Sequence, residues 1–82
     1  MELAYLNRLL RRSGSLVAEE IGIAIPMTRH GDGHVVAYRR RNPVFPAQPW
    51  VVHIVTAEGA MGGEYDLTRD DAIQLARERT GQ

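Results

Sequence analysis

The chain has 82 residues, 44% of them hydrophobic and 24% charged, which is the composition of a folded domain and not of a disordered segment. A chain this short buries only about 60 to 65 per cent of its unfolded surface, so it reads as a single domain over residues 1–82 with one modest core. Ten arginines, with no lysine, balance ten acidic residues, which argues against a strongly basic nucleic-acid binder and against an acidic mimic; the absence of cysteine excludes disulfides, thiolate zinc sites and cysteine nucleophiles.

Residues 2–12 place Leu3, Leu6 and Leu10 at helical spacing, with Leu9 widening the stripe and Asn7, Arg8, Arg11 and Arg12 largely outside it. This predicts a one-sided helix, not a signal peptide, and Ser13-Gly14-Ser15 supplies its stop. No apolar run approaches the roughly 18 to 20 residues that span a bilayer, so no membrane partner is expected. Lack of cysteine fits a reducing, cytoplasmic setting.

From Ile21 the period becomes two. Ile21, Ile23, Ile25 and Met27 share one predicted face, and Gly22 and Ala24 the other, with Pro26 marking an edge or an end. Residues 15–22 read equally as a short helix or as strand. Gly31-Asp32-Gly33 is a hairpin signal, and residues 34–40 form the return strand, in a register that sets Ile25 opposite Tyr38 and Met27 opposite Val36. Residues 42–49 hold three of the four prolines and predict a stiff, extended connection. Residues 50–56 are apolar on both faces and predict a central strand, with Trp50 in the core.

Residues 58–63 read as a turn and 63–67 as a short last strand. Thr68 and Asp71 then form a capping box, Asp70 and Asp71 favour the helix N-terminus, Arg77 and Arg79 its C-terminus, and Gly81 ends it. Ala72, Ile73, Leu75 and Ala76 give that helix its buried side. The expected fold is α+β: a three- to four-stranded antiparallel sheet with an N-terminal and a C-terminal helix, both packed on one face. The row Val51, Val55, Val35 and Ala37 would then lie bare as an apolar patch, and edge pairing offers a second route to self-association, so monomer and homodimer are both open.

Reactive chemistry finds little in the pattern. Ser13 and Ser15 lack a nucleophile elbow, Glu19-Glu20 and Asp70-Asp71 are adjacent and diverge, and no glycine-rich phosphate loop precedes a helix. His30, Asp32 and His34 carry metal-ligand atoms but occupy one turn without a fourth partner, and His53 reads as a core or sheet residue. No enzyme activity, metal or cofactor is therefore expected.

The most suggestive region is Arg39-Arg40-Arg41 running into the proline-rich loop with Phe45. Three arginines at a strand end should alternate between the sheet faces, and a stiff loop holds an aromatic in place at low entropic cost. The candidate partner-binding residues are Arg39, Arg40, Arg41 and Phe45, with Arg29, Arg11 and Arg12 as further cations.

Gly62-Gly63-Glu64-Tyr65-Asp66-Leu67-Thr68, followed by residues 69–76, resembles the strand-then-capped-helix ending of many small phage and mobile-element proteins, among them the anti-CRISPR proteins. The resemblance covers about the last 30 residues in pattern and the whole chain in size and layout. It implies a stoichiometric inhibitor that docks on a host protein or ribonucleoprotein complex. The alternative is a small nucleic-acid-binding regulator that contacts phosphates through arginines.

Overall fold

The computed structural model of the protein describes residues 1–14, 16–27 and 33–81. Helix α1, Leu3–Arg12, leads into strands β1 (Ala18–Pro26), β2 (His34–Arg40), β3 (Trp50–Thr56) and β4 (Gly59–Leu67), and helix α2, Arg69–Arg79, follows. All neighbouring strands pair antiparallel, in the sheet order β1-β2-β3-β4. The α+β class with a helix at each end is as the sequence predicts.

The helices, however, do not share a face. Side chains alternate across a strand, so β2 sends Val36 and Tyr38 one way and Val35 and Ala37 the other. The first pair packs with Val51 and Val55 of β3 under Leu6, Leu9 and Leu10 of α1. The second packs with Trp50 and Val52 under Ala72 and Ala76 of α2. The molecule is therefore a helix–sheet–helix sandwich, and the expectation of one covered face is corrected. The supposed bare row divides for the same reason: Val51 and Val55 lie beneath α1, and Val35 and Ala37 beneath α2, all buried.

Two irregularities reset β1. The observed pairs are Ile21 with Tyr38, Ala24 with Val36 and Ile25 with Val35, not the predicted Ile25–Tyr38 and Met27–Val36. Met27 closes the ladder by donating its N–H to Gly33 O, so residues 28–32 connect the strands; of the hairpin motif only Gly33 lies among the described residues. Register shifts occur between Ala18 and Glu20 and again between Ile21 and Ile23. A bulge breaks the two-residue period, which is why Ile21 and Ala24 join the α1 side while Ile23 and Met27 join the α2 side. Residues 18–22 are strand, and β4 extends back to Gly59, where a turn was expected.

Local chemistry explains the helix ends. Thr68 Oγ1 accepts from the Asp71 N–H at 3.2 Å, which is the N-cap half of the predicted box; among the described residues the Asp71 carboxylate makes no return bond to the Thr68 N–H. Asn7, on the polar side of α1, holds the first residue of β1 by both of its backbone polar groups: its Nδ2 donates to Ala18 O at 3.0 Å and its Oδ1 accepts from the Ala18 N–H at 2.7 Å. Ser13 docks the other end of α1 by accepting from the Ala60 N–H and donating to Ala60 O.

Gly22 lies at the second register shift and leaves room there for the Trp50 ring. A Cβ built there would come 2.7 Å from Cζ3 of Trp50, whose ring is buried and has Arg69 over it. Gly22→Ala is thus expected to destabilise the domain by about 1–3 kcal/mol through overpacking, read as a lower urea midpoint at unchanged m-value. An unaffected midpoint would mean that the Trp50 ring moves aside freely.

Candidate functional site

At the close of β2 the chain must return to β3 through residues 42–49. Asn42 turns it with a φ of 56°, a conformation asparagine tolerates better than most residues. Three backbone bonds then brace the loop: Arg40 N–H to Pro49 O at 2.9 Å, Gln48 N–H to Phe45 O at 2.9 Å, and Arg41 N–H to Val17 O at 2.8 Å. With Pro43, Pro46 and Pro49 restricting φ, the loop presents Val44 and Phe45 to solvent, 66% and 54% exposed. Trp50, at its far end, is in the core as predicted.

The three arginines have different surroundings. Arg39 Nε donates to Glu20 Oε1 at 3.3 Å and Arg41 Nε to Glu19 Oε1 at 2.6 Å, so the acidic pair on β1 answers the outer two cations. The hydrogen bond from Arg41, with its charge, holds the Glu19 carboxyl below its ordinary pKa. Arg40 is half-buried, and two residues from Tyr38 along the strand it falls on the α1 side of the sheet. Its Nε is shielded from water and has no hydrogen-bond partner among the described residues; Asp66 Oδ1, on a kink of φ 59° in β4, shares that condition.

The remaining predicted cations do not join this rim. Arg12 donates to Ala57 O in the β3–β4 turn, and Arg11 Nε bonds Asn7 O at 3.5 Å, which sets the end of α1 at the opposite end of β3. At about 3.3 Å per residue that is roughly 20 Å from the end of β2. Arg29 lies outside the described residues, as do His30 and Asp32; among the described residues no cluster of three or more His, Cys, Asp or Glu is present.

Sequence reasoning did not anticipate a polar chain threaded through the α1 side of the sheet. Tyr38 Oη lies 2.9 Å from His53 Nδ1, and His53 Nε2 lies 3.0 Å from Tyr65 Oη. Tyr38 is fully buried and its hydroxyl has no other acceptor among the described residues, so it donates to Nδ1. The imidazole proton then sits on Nε2 and is donated to the Tyr65 oxygen. Gly63 gives the two rings room, since a Cβ there would lie 2.6 Å from Nε2 and 2.5 Å from Tyr65 Oη. A glycine paired with a tyrosine two residues on, facing a histidine between valines, was the available signal. Both imidazole nitrogens are committed inside the protein, and His53 is only 4% exposed, so of the two readings, core or sheet residue, the structure gives the core.

Burial, and then the charge of Arg79, pushes the His53 pKa below its ordinary value; burial foremost, and then Tyr65, raises that of Tyr38 against the opposing charge of Arg40. Among the described residues no helix is long and apolar enough to cross a membrane. No protein-family model, curated protein or solved structure matches the chain.

These shifts have opposite consequences with pH. The unfolded chain takes up the His53 proton near pH 6.5 while the native state resists it, so stability falls as pH drops through about 6.5 toward the lower folded value. On the alkaline side the unfolded tyrosine ionises near pH 10 while buried Tyr38 stays protonated, so stability falls again above about 10. Urea unfolding across pH is expected to show the acid limb flattened in His53→Gln and the alkaline limb flattened in Tyr38→Phe. Unchanged limbs would remove the chain as the source.

Proposed function

We propose that the protein is a small, non-catalytic binding protein that docks on another protein through the rim formed by Arg39, Arg40, Arg41 and the 42–49 loop. One observation carries the reading: Val44 and Phe45 stand exposed on a loop that is proline-stiffened and braced by three backbone hydrogen bonds. An apolar pair held rigid before the partner arrives loses little conformational freedom on binding, and aromatic and arginine residues are the usual anchors of protein interfaces. Buried Phe45 in the complex would return the hydrophobic free energy that its exposure forgoes in the free chain.

The specific form supported by the resemblance in size and layout is a cytoplasmic stoichiometric inhibitor of the anti-CRISPR type, seated on a host ribonucleoprotein complex. That form predicts that the purified chain blocks target-DNA binding by such a complex at a one-to-one ratio. Direct binding of nucleic acid is the weaker reading, because Glu19 and Glu20 neutralise two of the rim arginines and Arg11 and Arg12 point from the other end of the sheet.

Phe45→Ala is expected to weaken the complex by about 2 kcal/mol or more without shifting the urea midpoint, since the ring contributes to a binding anchor and little to the core. Joint charge reversal of Arg39, Arg40 and Arg41 should weaken it further. Isothermal titration against the partner at two salt concentrations checks both. Affinity insensitive to all four positions rules out this rim, and affinity that collapses steeply with salt transfers the function to nucleic acid.

A further inference from the structure

Arg40 differs from its neighbours in a way that bears on what the rim takes. Among the described residues the ion pairs join Arg39 to Glu20, Arg41 to Glu19 and Arg79 to Glu64, and none reaches Arg40. Its Nε–H is already stripped of water and has no hydrogen-bond partner among the described residues. Removing water from a cation ordinarily cancels much of the attraction gained when an ion pair is buried at an interface. For Arg40 part of that cost is met by folding, so an incoming acceptor meets a guanidinium that gains more from pairing than a fully hydrated one would.

Position adds a second constraint. The Arg40 N–H is tied to Pro49 O, which places the residue at the mouth of the loop that carries Val44 and Phe45. Glu19 and Glu20 stand beside it on β1, paired with Arg41 and Arg39. A phosphate backbone is gripped by several cations together and would meet these carboxylates as repulsion. A single planar fork on the residue whose backbone closes a loop bearing two exposed apolar side chains matches a different shape of ligand.

We infer that the rim receives an acidic, apolar protein segment, with one carboxylate taken by the guanidinium of Arg40 and a neighbouring aliphatic side chain laid against Val44 and Phe45. This rests on the reading of the rim as a docking surface and specifies the chemistry of its partner. Arg39 and Arg41 act in it as the positioned arms of an internal ion-pair lattice and not as ligands.

The test follows the arginine side-chain Nε–H and backbone amide resonances of the uniformly nitrogen-15-labelled chain during titration with the amide of N-acetyl Leu-Glu-Leu, with its Leu-Gln-Leu counterpart and with a short oligothymidylate. The glutamate peptide is expected to shift the Arg40 Nε–H and the Val44 and Phe45 amides saturably. Affinity should fall about tenfold for the glutamine peptide and for Arg40→Met, and less for Arg40→Lys, which keeps the charge and guards against a folding defect. If both peptides shift Val44 and Phe45 equally and leave Arg40 unmoved, the docking surface stands and the carboxylate inference is overturned. If neither peptide moves any rim resonance up to about 10 mM, both readings fail. Preferential movement of Arg40 by the oligothymidylate replaces the protein segment with nucleic acid.

Discussion

The two central strands are apolar on both faces, and that constraint organises the molecule. β2 and β3 bury Val35, Val36, Ala37, Tyr38, Val51, Val52 and Val55 almost completely, with successive residues on opposite sides. A sheet of this kind gains nothing from one covered face, because the other would expose an apolar surface large enough to aggregate. Each end of the chain therefore supplies one helix to one side. α1 covers its side with leucines, and α2 covers the other with alanines, whose small side chains let the helix lie close over Ile25, Ala37 and Trp50.

Once both faces are sealed, the sheet itself can be approached only at its edges. The edges are poor templates. β1 carries two register shifts, the carboxylates of Glu19 and Glu20, and Pro26 at its end; β4 carries two more shifts, with positive φ at Gly62 and Asp66. Arg79 also reaches from α2 to bond Gly62 O at 2.9 Å. Bulges, charge and proline are the devices by which exposed strands avoid pairing with other chains, and both edges use them. The loop between β2 and β3 has the opposite character: it is braced, and its apolar side chains face outward.

Much of this order was legible in the sequence because it depends on local signals. The leucine spacing of α1, the Thr68 and Asp71 cap and the two-sided apolar run of β3 all survive in the structure, since each element's own chemistry decides it. What was not legible depends on contacts between elements. The bulge in β1 falls at Gly22, where the Trp50 ring occupies the space of a Cβ, and no feature of residues 18–26 announces where that ring will be. Placing both helices on one face failed for a related reason: the sequence showed two apolar faces but did not say which helix goes to which. Trp50 and Phe45 were separated correctly, as a strand residue and a loop residue.

The arginine run shows how a count of charges misleads until the sheet is assembled. In the sequence, Arg39, Arg40 and Arg41 form a cationic block, and Glu19 and Glu20 are a distant acidic pair without an evident use. Antiparallel pairing of β1 with β2 brings them together, Glu20 opposite Arg39, and the two ion pairs close across the strands. Such exposed pairs add little to stability. Their larger effect is on the field at the rim, where, among the described residues, the five formal charges of Glu19, Glu20, Arg39, Arg40 and Arg41 leave Arg40 without an ion pair. If the rim is the docking surface proposed above, a neutral domain would concentrate its recognition on Arg40 and on the apolar pair of the loop, and would gain specificity from having neutralised the charges on either side.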